Sequence, residues 1–149
     1  MLYQEFYIEK YDWWVFAYYD TTAKNIEDIM DCLYEMNCNA DVAIQAYDNI
    51  AENTLNTGLT FSKNKKSCIV LSRASSKEQF ASTFCHELHH CAMHITKEYG
   101  IDPYGEEPAY IIGYLGEMML PYASKFLCDC CNNKSKNNNN KNNYEKYDF

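Results

Sequence analysis

His86, Glu87, Leu88, His89 and His90 form a His-Glu-x-x-His run within a segment whose apolar pattern is helical. Residues four apart on a helix lie one above the other, so His86 and His90 point the same way, with imidazoles close enough to bind one ion. Zinc accepts such ligands, and a catalytic zinc keeps one position for water. Glu87 stands beside the pair without occupying a ligand position, where its carboxylate can take a proton from a water as general base. The cofactor expected from these residues is Zn2+ and the chemistry is hydrolysis. A purely structural zinc would fill its positions with protein atoms and would not require Glu87.

Three protein ligands are needed, and the choices for the third are few. A continuous helix would put His94 on the same face, but three histidines on successive turns span roughly 12 Å, too far for one ion. Enzymes that recruit a third downstream histidine bend the chain at a glycine, whereas residues 91–93 are Cys91, Ala92 and Met93. Glu106 and Glu107 fall 16 and 17 residues beyond His90, at the start of the next helical pattern. Helical phase alone does not decide between them. Pro108 biases the residue before it away from helical geometry and leaves the orientation of Glu107 open. Tyr110 and Tyr114 follow one and two turns later, and a phenol near the metal can stabilise an oxyanion. Tyr110 is the better candidate for that role, although in a chain with 14 tyrosines packing is the commoner use of one. His89 and His94 read as core or surface histidines, and a rival site made of Cys85 and His89 is disfavoured.

Ser75 or Ser76 precedes Glu78 or Gln79 by three residues, the arrangement of a capping box, and opens the motif helix. Gly100 ends it, and a further helix starts near Glu106 to Pro108, with Pro121 expected to kink or break it. Upstream, residues 3–19 are dense in aromatic and β-branched side chains, with a polar break at Glu9 to Asp12, which suits a hairpin. Thr21 or Thr22 can cap a helix carrying Ile26, Ile29, Met30, Leu33 and Met36, and a second helix runs from Val42 to about Asn53. A second hairpin joins Leu59–Phe61 to Cys68–Leu71 through Lys63 to Lys66. The fold class expected is α+β: a small sheet packed against the motif helix, with the Glu-bearing C-terminal helix completing the site.

The chain has 149 residues, 47% hydrophobic and 23% charged, values ordinary for one soluble globular domain. The domain is expected to span residues 1–131. Residues 132–149 hold eight Asn and four Lys with almost no aliphatic side chain, so a disordered tail is expected. The net charge of -8 argues against a nucleic-acid partner, because phosphate affinity rests on Lys and Arg. No apolar run approaches the length of a membrane helix. The N-terminus shows no basic head followed by an apolar run, so a cytoplasmic chain with its eight cysteines as free thiols is expected. Cys128, Cys130 and Cys131 read as thiols at a helix end.

The run His86-Glu87-Leu88-His89-His90, followed by Glu106-Glu107-Pro108-Ala109-Tyr110-Ile111-Ile112-Gly113-Tyr114-Leu115, resembles the small zincin-like metallopeptidases of phages and gut bacteria, whose second block reads Glu-x-x-Ala-Tyr-x-x-Gly-Tyr. In that block the zinc-binding Glu stands four residues before the first Tyr, which carries over to Glu106. A short strand, Ser67 to Ser72, leading into the motif helix is also similar to the ImmA-like peptidases. The resemblance covers residues 57–127. It implies a minimal zincin-like, gluzincin-type domain acting in a bacterial or phage-infected cell on a protein or peptide substrate. The metal would be held by His86, His90 and Glu106, with Glu87 and Tyr110 catalytic and the strand before the helix aligning substrate by β-augmentation. The alternative function is a non-catalytic zinc-binding interaction or regulatory module on the same fold.

Overall fold

The computed structural model describes residues 1–134, with side chains described as far as residue 125. Strands β1 (Leu2–Ile8) and β2 (Trp13–Thr21) pair antiparallel across the short 3-10 turn Glu9–Tyr11, as the aromatic pattern requires. A second hairpin, β3 (Gly58–Lys63) and β4 (Lys66–Ser72), turns through Asn64 and Lys65, both at positive φ. Two such residues match the right-handed twist of the flanking strands. The hairpins join through a parallel β2–β4 pair, giving a four-stranded mixed sheet in the order β1-β2-β4-β3.

Between the hairpins lie α1 (Ile26–Glu35) and α2 (Ala40–Ala51). The Asn25 side chain accepts the Thr22 backbone N–H ahead of α1, and Asn39 accepts the Val42 N–H as the cap of α2. After β4 come α3 (Lys77–Tyr99) and α4 (Glu107–Lys134). Ser76 caps α3 through the Gln79 N–H. Gly100 ends it at φ 61, a left-handed conformation cheap only for glycine, while the Ile101 N–H returns to the Thr96 carbonyl. α4 continues through Pro121 without the break that was one of the two outcomes expected there. It takes in Asn132 to Lys134 from the segment expected to be a tail. The remainder of that segment and the side chains of Cys128, Cys130 and Cys131 lie outside the described residues.

Strand side chains alternate between faces, and the two faces build separate cores. Val15, Ala17, Tyr19, Ile69 and Leu71 pack against Phe84, Leu88 and Ile95 of α3 and against Ile111, Leu115 and Met119 of α4. Tyr18, Cys68 and Val70 pack on the other side against Ile29, Leu33 and Met36 of the α1 region and Ala43 and Ala46 of α2. The class is α+β, as expected, with helix pairs on both faces of the sheet. Among the described residues no helix is long and apolar enough to cross a membrane.

Candidate metal centre

α3 lies against the edge strand β3. Going up both elements, the Thr83 hydroxyl donates to the Asn56 carbonyl at 3.1 Å, the Thr60 hydroxyl donates to Glu87 Oε2 at 2.6 Å, and His94 Nδ1 meets Ser62 Oγ at 2.7 Å. The alternation of β3 makes this possible. Leu59 and Phe61 join the α1–α2 core, so Gly58, Thr60 and Ser62 turn to α3 with small or polar groups.

His86 and His90 sit one turn apart on this stretch of α3, both exposed, with their Nε2 atoms 3.0 Å apart and ring planes at 76°. Two nitrogens bound to one tetrahedral zinc would stand roughly 3.3 Å apart, given metal–nitrogen bonds of about 2.05 Å. The observed separation is close to that spacing.

Unlike His86 and His90, Glu87 is only 4% exposed. Its carboxylate lies directly under Gly58, where a Cβ would stand 2.5 Å from Oε1. A glycine at this strand position is what lets the carboxylate approach the backbone. The Thr60 hydroxyl bonds Oε2 and also contacts the Glu87 carbonyl at 3.3 Å, which fixes both the carboxylate and the helix backbone to the strand.

Beyond the pair, a buried chain of hydrogen bonds supports the same stripe. His94 meets Ser62, Ser62 Oγ lies 2.7 Å from Ser67 Oγ, and Ser67 accepts the Trp13 indole N–H at 2.9 Å and the Cys91 thiol at 3.4 Å. Burial pushes the Cys91 thiol up to about 12, so the thiol stays protonated and a core group. Burial, with His90 and Lys97 nearby, lowers the pKa of His94 and favours its neutral ring. Cys85, on the other flank of the motif, is exposed and free.

Glu106 is not grouped with the imidazole pair. Among the described residues, no group of three or more His, Cys, Asp or Glu side chains comes together to hold a metal ion. The start of α4 is pinned at the far end of α3: Glu107 binds Lys10 and Tyr11, and the Tyr99 hydroxyl donates to the Tyr11 carbonyl. His90 lies nine residues before Tyr99, about 13 Å along the axis at 1.5 Å per residue. Glu106, exposed and just ahead of that pin, stands apart from the imidazole pair. Tyr110, 67% exposed, borders a groove of about 420 Å³ with Lys10, Tyr11 and Tyr114 instead of the histidines. Burying Ile111, Leu115 and Met119 sets the rotation of α4 and turns Tyr110 outward.

The strand expected to align a substrate, Ser67 to Ser72, is β4, which pairs with β2 and β3 on its two sides and has no free edge. The free edge next to α3 belongs to β3. Gly58, Thr60 and Ser62 were not among the expected site residues. Their signal was a strand with apolar Leu59 and Phe61 on one face and only small groups on the other.

No family model, curated protein or solved structure matches the chain.

Proposed function

We propose that this chain is a zinc-dependent hydrolase of peptide bonds, with His86 and His90 as metal ligands and Glu87 as general base. One observation carries the reading: two imidazole nitrogens 3.0 Å apart beside a buried carboxylate fixed under an edge strand. A zinc ion held there would act as a Lewis acid and lower the pKa of a bound water to about 7.

The other duties fall to the chain itself. Glu87 takes a proton from the attacking water and returns it to the leaving amine, its carboxylate oriented by Thr60. The edge of β3, unpaired among the described residues, offers backbone N–H and C=O groups to an extended peptide, which would lie across the face holding Glu87. That edge supports the reading of a protein or peptide substrate. Glu106 is the proposed third ligand on the strength of the second motif block, and its engagement requires release of the pin between Glu107, Lys10 and Tyr11.

Zinc titration by calorimetry and a search for new N-termini in a proteome digest test the proposal together. The expected result is one equivalent of zinc, lost in His86→Ala and His90→Ala, and cleavage lost in Glu87→Gln with zinc retained. Full cleavage by Glu87→Gln removes the mechanism. Unchanged zinc affinity in Glu106→Ala removes Glu106 from the ligand set and leaves the histidine pair untouched.

A further inference from the structure

On the sheet face away from the imidazole pair, α1 sets Cys32 against Cys68 of β4. Cys68 is fully buried in the α1–α2 core and Cys32 packs on its edge. Cys32 also lines an open cavity of about 380 Å³, together with Tyr3, Tyr18, Asp28 and Glu35. One thiol is thus reached from solvent and the other is sealed beneath it. The two thiols pack in one cluster with Tyr18. Interaction with Cys68 and Tyr18 holds the Cys32 thiol below its usual range, against the opposing effects of burial and Glu35. Cys68 is raised well above it by the neighbouring Cys32 thiol and by burial. Cys38, the third cysteine of this region, is raised by burial.

We infer that Cys32 and Cys68 are a peroxide-responsive dithiol, Cys32 the attacking thiol and Cys68 the resolving one. The Cys32 thiolate attacks one oxygen of hydrogen peroxide or an alkyl hydroperoxide. The O–O bond breaks, Cys32 becomes a sulfenic acid, and the departing hydroxide or alkoxide takes up a proton as water or alcohol. Cys68 sulfur then attacks the Cys32 sulfur, its thiol proton leaving with the sulfenic hydroxyl as a second water. In total two thiols are oxidised to one disulfide and one peroxide is reduced. The bridge would tie α1 to β4 and close a loop that contains α2 and all of β3, including Gly58 and Thr60. The inference does not rest on zinc binding or hydrolysis.

The test exposes the reduced full-length protein to hydrogen peroxide, removes the excess with catalase, alkylates in denaturant and maps the peptides. The expected product is a Cys32–Cys68 linked peptide with Cys38 still alkylated. In Cys68→Ser, dimedone should trap a sulfenic acid on Cys32. In Cys32→Ser, Cys68 should stay reduced, while Cys38→Ser should bridge like the parent. Iodoacetamide should label Cys32 of the native reduced protein about tenfold faster than Cys38. A Cys38–Cys68 bridge, over-oxidation of Cys32 without a bridge, or oxidation confined to exposed Cys85 would each overturn the inference. The parent protein alone decides the pairing, so a variant that fails to fold leaves the test intact.

Discussion

Gly58→Ala measures how firmly the edge strand holds the general base. A Cβ at this position would lie 2.5 Å from Glu87 Oε1, 2.6 Å from Cγ and 2.7 Å from Cδ, all well inside contact distance. Glu87 is buried and bonded to Thr60, so it cannot step aside freely. Overpacking of this kind costs about 1–3 kcal/mol. Replacing an extended glycine returns about 0.5–1 kcal/mol through the unfolded chain and strand preference. The net loss should be about 1–2 kcal/mol. With a urea slope of about 2 kcal/mol/M, the unfolding midpoint falls by roughly 0.5–1 M with the slope unchanged. In a Glu87→Ala background the obstructing atoms are gone, so the same substitution should be neutral or stabilising. The coupling read from the double-mutant cycle is then about 2 kcal/mol. Equal destabilisation by Gly58→Ala in both backgrounds would refute the reasoning, since the cost would then lie in the strand and not in the contact.

Three further outcomes are expected. Thr60→Val keeps the shape of the side chain but removes the hydroxyl bonded to the Glu87 carboxylate, and should cost about 1.5–3 kcal/mol in the same urea titration. Ser67→Ala removes the acceptor of the Trp13 indole N–H; it should cost about 1–3 kcal/mol and speed the exchange of that indole proton with solvent, and a slow-exchanging proton would contradict it. Asp12 is held below its ordinary value of 3.8 by bonds from Tyr7 and Lys65, and Glu107 below 4.5 by Lys10 and Tyr11. In this acid range the unfolded chain binds more protons than the folded one. The stability these groups confer is therefore present above their ordinary values and declines as pH falls through the lower folded ones. Melting temperatures between pH 5 and 3 should drop less steeply in Asp12→Asn/Glu107→Gln than in the parent, and parallel curves would show that neither carboxylate carries linkage.

Elements that depend on local chemistry were legible in the sequence. The aromatic runs of β1 and β2, the cap at Ser76, the turn at Asn64 and Lys65 and the stop at Gly100 each act over a few residues. The imidazole pair belongs with them, because a separation of four residues on one helix is a local fact. Pro121 shows the limit of such reading: a residue that disfavours helix interiors lies inside a continuous α4, whose apolar face is held by packing on α3 and the sheet.

The sequence by itself determined the kinds of element, their order and the presence of two histidines and a carboxylate on one helical stretch, since these follow from spacing and side-chain chemistry. Only the tertiary structure decided that β3 and not β4 is the edge strand, that Gly58 and Thr60 hold Glu87, that Glu106 is not grouped with the pair, and that Cys32 packs on the core containing Cys68. Strand order and helix rotation are set by which apolar faces must be buried together, and that balance is struck between residues far apart in the chain.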